Sequence, residues 1–169
     1  VFKILTMAAA FDSGTVDEKT IFNDPGRFIY GGSTIYNWNR RGWGKQTMQG
    51  CMQHSLNVCL AWVATEVGKD NFYDYMQAFG IGQRTNVDLG GEKIWPLSTP
   101  DDIDWYPIQL ATNSFGQGVA VTPIQLASAV SAVANNGKLM KPHILKAIIQ
   151  NGKQYNTTAQ VQSVPIKPE

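Results

Sequence analysis

Residues 52–68, MQHSLNVCLAWVATEVG, set the tightest constraint on the fold. From about Leu56 to Val67 the run is strongly apolar, so it reads as a buried helix that stops at Gly68. A polar cluster of His54, Ser55 and Asn57 stands where that helix begins. One reading makes Ser55 an N-cap whose hydroxyl accepts a backbone N–H. A single cap needs one such residue, which leaves Asn57 over. The other reading is chemical: a Ser-x-Asn pair at a helix start projects a hydroxyl and a carboxamide toward one cleft. The hydroxyl can relay a proton there, and the amide can hold a substrate carbonyl.

The rest of the chain supplies neighbours for this helix. Residues 1 to about 12 have helical rhythm, with Phe2, Leu5, Ala9 and Phe11 broadly on one side and Ser13-Gly14 ending the run. This helix starts with neither a cap nor an initiator Met, as expected of a chain continuing a longer one. Residues 15–46 read as short strands and loops, with Trp38 and Trp43 covering a core edge. Thr47 is a plausible N-cap for a short helix to about His54. Asp70 is placed to cap a helix that buries Phe72, Tyr75, Met76 and Phe79 and ends at Gly80. A Gly- and Pro-rich ordered loop follows, to about Pro107. Thr122 and Pro123 then open a helix with Leu126, Val130 and Val133-Ala134 along one side, closed by Asn136-Gly137. Asn151-Gly152 marks a two-residue hairpin turn. The sum is four or five helices with small β pieces.

Length and charge narrow the function. The 169 residues suit one domain, and 43% apolar content excludes a disordered segment. With 14 basic and 13 acidic residues and no basic stripe, nothing points to nucleic acid. No apolar run is long enough to span a membrane. His54 and His143 are isolated, so no metal site and no cofactor are expected. Cys51 and Cys59 have neither metal-ligand nor redox-motif spacing and read as small buried hydrophobes; a disulfide between them requires the chain to bend.

Lys3 is the remaining candidate. A lysine in an apolar first turn either faces solvent or faces inward, where desolvation makes it a usable base. Four blocks, VFKILTMAAAFDSG, TMQGCMQHSLNVCLAWVATEVG, YMQAFGIGQRTNVDLGGE and FGQGVAVTPIQLASAVSAVANNGKLMKPHIL, resemble in this order the transpeptidase domain of penicillin-binding proteins. The likeness is greatest to the monofunctional (class B) peptidoglycan D,D-transpeptidases of division and elongation, and it covers almost the whole chain.

The resemblance implies three motifs, Ser-x-x-Lys, Ser-x-Asn and Lys-Thr/Ser-Gly. Lys3 matches the lysine of the first, whose serine falls immediately before Val1. Ser55 and Asn57 match the second. The third has no counterpart: Lys138-Leu139-Met140 follows a helix rather than lying on a strand, and residues 151–153 form a turn. Residues 1–169 are therefore expected to be a partial domain: a mainly α fragment, with short β pieces, of the α/β serine β-lactamase/D,D-transpeptidase fold. The implied roles are Lys3 as base, Ser55 as proton relay, and Asn57 as the group that binds the donor amide and orients Lys3. Implied partners are peptidoglycan stem peptides ending in D-Ala-D-Ala, β-lactam antibiotics, and cell-wall synthesis or divisome proteins. The implied location is the extracytoplasmic face of the bacterial membrane, the parent being anchored by an N-terminal helix. The glycines of Gly116-Gln117-Gly118 read as turn residues first and site-lining residues second. Two further readings stay open. One is a relative that senses or hydrolyses β-lactams, although Glu66 and Glu92 lack the context of a deacylating carboxylate. The other is a non-catalytic helical interaction domain that keeps Ser55 and Asn57 for capping.

Overall fold

The computed structural model describes residues 1–168 and divides the chain into two compact units, where its length suggested one domain. The first unit runs over Val1–Met76 and Ser98–Val119; the second takes Gln77–Leu97 and the described residues from Ala120 onward.

In the first unit the order is α1 (Lys3–Asp12), β1 (Ile21–Asp24), β2 (Arg27–Tyr30), β3 (Ser33–Tyr36), β4 (Gly44–Thr47), α2 (Met48–Gln53) and α3 (Asn57–Val67), then most of α4 (Lys69–Ala78) and, later in the chain, α5 (Pro107–Asn113). β1 pairs antiparallel with β4, Ile21 opposite Thr47, and β2 with β3, Arg27 opposite Tyr36. α3 lies at the centre, against α1, α5 and strands β1 to β3. Val58, Cys59, Leu60, Ala61, Val63, Ala64 and Val67 are all buried, as the apolar run requires. Each large side chain so buried stabilises the fold by about 1.5–3 kcal/mol. Val58 and Ala61 form one cluster with Ile35 and Ala111, flanked by Phe22, Phe28 and Phe115.

Several local expectations change. Phe11 is exposed, so the buried side of α1 is Leu5, Thr6, Met7, Ala9 and Ala10. Thr6 is accommodated because its hydroxyl donates to the Ser114 carbonyl at 2.7 Å. α4 begins two residues early, with Phe72 N–H on the Gly68 carbonyl, which puts Asp70 inside the first turn. Tyr75 is only half-buried, because its hydroxyl reaches Asp12 Oδ2 at 2.6 Å. That contact and burial raise its pKa to about 12, desolvation contributing most. Trp38 is 71% exposed and covers no core edge. α5 was not foreseen. It is short and opens with Pro107 under Tyr106, whose N–H is held by Gln109 Oε1 at 2.6 Å.

The second unit contains α6 (Pro123–Ala134), β5 (Leu139–Met140), β6 (Ala147–Gln150), β7 (Lys153–Asn156) and β8 (Val161–Ser163). Leu139-Met140 lie on a strand after all, paired antiparallel with β8. β6 and β7 form the expected hairpin, with Asn151 (φ 52°) and Gly152 (φ 74°) as its two turn residues. Thr122 caps α6 through a reciprocal box with Gln125. The same Gln125 is buried and donates to the Gln83 carbonyl, which rotates the buried face to Gln125, Ala129 and Ala132. Leu126, Val130 and Val133 are left half-buried. The loop after α4 is ordered by Glu92, which accepts from Thr85 N–H and Oγ1 at 2.7 Å each and from Asn86 N–H at 3.2 Å. Among the described residues there are six helices and four two-stranded sheets, and no helix is long and apolar enough to cross a membrane.

Candidate active site

The turn between α2 and α3 places Ser55. Thr47 caps α2 by accepting the Gly50 N–H at 3.1 Å, and His54 is the last residue before the chain leaves the helix. Leu56 N–H then bonds the Cys51 carbonyl at 2.9 Å, and Ser55 N–H bonds the Met52 carbonyl at 3.1 Å. This pair of bonds is a Schellman closure, in which the residue between the helix end and Leu56 takes the left-handed conformation usually given to glycine. Here that residue is Ser55, at φ 53°. A non-glycine side chain there costs on the order of 1 kcal/mol. Helix closure alone does not call for a serine at this point.

Ser55 is not the N-cap of α3 either. That position belongs to Leu56, whose side chain has no cap to offer. The Ser55 hydroxyl instead meets Lys3: the ammonium donates to Ser55 Oγ at 2.9 Å and to the Ser55 carbonyl at 2.6 Å, across 52 residues of chain. Phe2 and Leu5, buried on either side of Lys3, fix the direction in which its side chain leaves α1. Small buried residues on both helices (Ala9 and Ala10 on α1, Ala61 and Ala64 on α3) favour their close approach. Lys3 is half-buried, and desolvation lowers its pKa from 10.5 to about 8. An amine so placed is neutral in about a tenth of molecules at pH 7, against roughly one in 3,000 for an ordinary lysine.

Asn57, the first residue of α3, is half-buried, and its Nδ2 donates to the Tyr36 carbonyl at 3.3 Å. The structure thus joins Lys3 to Ser55 directly and places the Asn57 carboxamide beside them in sequence, held from β3. His54 stacks on Trp43, ring centroids 4.2 Å apart, which accounts for it as packing. Gly116, at φ 85°, lies against Phe2: a Cβ there would stand 2.7 Å from that of Phe2. No group of three His, Cys, Asp or Glu among the described residues is arranged to hold a metal ion.

One feature of the site was left open by the sequence and another escaped it. Cys51 and Cys59 are disulfide-bonded, with Cα atoms 6.0 Å apart, rather than separate thiols. The bond closes a ring around Ser55 and Asn57. The signal was available, because one helix ending at His54 and another starting near Leu56 already imply the bend that brings the cysteines together. Asn37 was missed: its Oδ1 accepts the buried Val58 N–H at 3.2 Å. No local pattern marks a cap supplied from 21 residues upstream.

A family model described as penicillin binding protein transpeptidase domain matches residues 1–169. Stage V sporulation protein D of Bacillus subtilis is 39% identical over 146 residues, 86% of this chain and 22% of its own. Peptidoglycan D,D-transpeptidase MrdA of Acinetobacter baumannii is 33% identical over 144 residues, 79% of this chain and 21% of its own. The chain therefore spans about a fifth of the length of these curated relatives. Among solved structures, penicillin binding protein 3 of Mycobacterium tuberculosis in complex with ampicillin superposes with a TM-score of 0.89 at 27% identity, over 98% of this chain and 36% of that one. The family model spans the whole chain, and the chain belongs to the penicillin-binding protein transpeptidase family.

Proposed function

We propose that residues 1–169 are part of a peptidoglycan D,D-transpeptidase that cross-links stem peptides through a serine acyl-enzyme and is acylated by β-lactams. The observation that carries this reading is the Lys3 ammonium on the Ser55 hydroxyl, in a chain whose relatives include a named D,D-transpeptidase. By the spacing of the first motif, the nucleophile is a serine immediately before Val1, one helical turn from Lys3. Neutral Lys3 takes its proton as the hydroxyl attacks the D-Ala-D-Ala carbonyl. Ser55, bonded to Lys3, passes a proton to the departing D-Ala amine. Asn57 binds the donor's amide once its carboxamide turns from Tyr36. The serine nucleophile and the Lys-Thr/Ser-Gly strand both fall outside residues 1–169, and without the nucleophile these residues alone are expected to form no acyl-enzyme. The disulfide supports work outside the cytoplasm, where such bonds persist.

The test is labelling by a fluorescent penicillin of a longer protein that carries both the residue before Val1 and the segment after residue 169. Covalent labelling is expected, with a rate that climbs with pH through about 8 as Lys3 loses its proton. Lys3→Arg, charged throughout that range, should slow it by about 10²- to 10⁴-fold. A wild-type protein that takes no label would sink the reading, and rapid release of hydrolysed penicillin would move it to a β-lactam hydrolase.

A further inference from the structure

We propose that Asp24 and Asn37 are positioning residues for the Ser55–Asn57 segment: a buried carboxylate aims a carboxamide, and the carboxamide fixes the first turn of α3. The inference rests on the reading of that segment as catalytic.

Both side chains are only 2% exposed. Asn37 follows β3, and three of the four hydrogen-bonding positions of its carboxamide are filled. Nδ2 donates to Asp24 Oδ2 at 2.6 Å and to the Arg41 carbonyl at 3.1 Å, while Oδ1 accepts from Val58 N–H at 3.2 Å. Two acceptors on one side and a donor on the other leave the amide a single orientation. Asp24, at the end of β1, is held in turn by the Gly26 N–H on its Oδ1 at 2.9 Å. Gly26, at φ 80°, lets the 24–26 turn pack against the following loop: a Cβ there would fall 2.5 Å from Gly42 N and 2.6 Å from the Arg41 carbonyl carbon. The same Arg41 supplies the second acceptor for Asn37, so turn, loop and carboxamide form one closed unit.

This unit supplies what α3 cannot make locally. With Leu56 at the cap position, the Val58 N–H has no side-chain partner nearby, and a buried N–H left unpaired is costly. Asn37 provides the acceptor. One residue back along both segments, Asn57 Nδ2 bonds the Tyr36 carbonyl. Two consecutive residues, Tyr36-Asn37, thus grip two consecutive residues, Asn57-Val58. A single bond leaves a helix end free to pivot; two offset bonds fix its rotation. The grip sets where the Asn57 carboxamide starts, and through the left-handed Ser55 it sets how closely the hydroxyl meets Lys3.

Three variants test this, read by the NMR titration of the Lys3 Cε in residues 1–169 and by penicillin acylation of the longer protein. Asn37→Ala should move the Lys3 titration from about 8 toward 10.5 as the Ser55 turn loosens, and should slow acylation on the order of 10- to 100-fold. Asn37→Asp should do the same, by setting a second carboxylate against Asp24. Asp24→Asn combined with Asn37→Asp restores every bond except that to the Arg41 carbonyl, and should recover most of the loss. A folded Asn37→Ala protein with unchanged Lys3 titration and acylation would overturn the proposal, leaving a merely structural role. If Asn37→Ala does not fold, the paired exchange decides: recovery over Asn37→Asp alone supports positioning, and none overturns it. Absence of acylation in the wild-type protein is a failure of the transpeptidase reading itself, and the Lys3 titration then judges the positioning independently.

Discussion

Asp24 in the first unit and Asp88 in the second make the same kind of bond, a carboxylate accepting two N–H donors, in opposite surroundings. Asp24 is buried and holds Gly26 and Asn37 behind the Ser55 turn. Asp88 is exposed and holds the backbone N–H groups of Ile144 and Leu145 at 2.7 and 2.8 Å. The apolar side chains divide likewise. α3 buries seven of its residues, whereas the β6–β7 hairpin leaves Ile148, Ile149 and Tyr155 in solvent. Where water cannot substitute, a lost partner costs the full desolvation penalty of the group left behind, about 1–3 kcal/mol; where it can, the bond is replaced at little cost. Chemistry that depends on distances of a few tenths of an ångström is therefore expected on segments anchored to the buried framework, as the exposed Ser55 is anchored by the buried α3 that follows it and the half-buried Lys3 by α1.

The largest effect should come from a cavity. Phe72 is fully buried in the first unit, edge-on to Tyr73 with ring centroids 5.3 Å apart. Phe72→Ala is expected to lose about 3–5 kcal/mol in urea unfolding. That is a large share of the total for a marginally stable fold. Ile149, 74% exposed, should change stability by less than about 0.5 kcal/mol when cut to alanine. Equal losses at the two positions would break the contrast between the units.

Next is the covalent brace. Cys51 and Cys59 are eight residues apart, and in the chain-entropy account closing so small a ring is worth about 2–3 kcal/mol. Replacing both with alanine should lower stability by that amount, measured against the oxidised wild type. A loss below about 1 kcal/mol would show that the Schellman closure holds the turn unaided.

How much of this was readable depends on whether the cause was local. Thr47, Thr122 with Pro123, and Asn151-Gly152 each act within four residues, and each appears where the sequence put it. The apolar α3 was legible for the same reason. Lys3 and Ser55 were legible as motif fragments, but their bond spans 52 residues, and only the fold brings the two together. Asn37 and Asp24 were invisible because nothing near them announces that α3 lacks a cap. Gln125 misled in the opposite direction: its capping role is local, yet its side chain is also drawn to Gln83, and that distant contact rotates α6 away from its apolar stripe.

The smallest expected effect lies at Asp88 and depends on pH. The N–H groups of Ile144 and Leu145 stabilise its charged form, so its folded pKa lies below the ordinary 3.8. A carboxyl whose pKa is depressed by folding contributes stability above its unfolded value and loses it as pH falls through the folded one. From pH 7 down to about 4 the contribution should stay constant, then fade in more acid solution. Because the group is exposed, the change should be seen in the amide shifts of Ile144 and Leu145 and hardly at all in global unfolding. Asp88→Asn should remove the acid-dependent step in those two amides while leaving urea unfolding at pH 7 close to wild type. If Asp88→Asn instead destabilised the protein as much as loss of the disulfide, exposed carboxylates here would anchor structure as strongly as the buried Asp24, and burial would no longer explain why the two units differ.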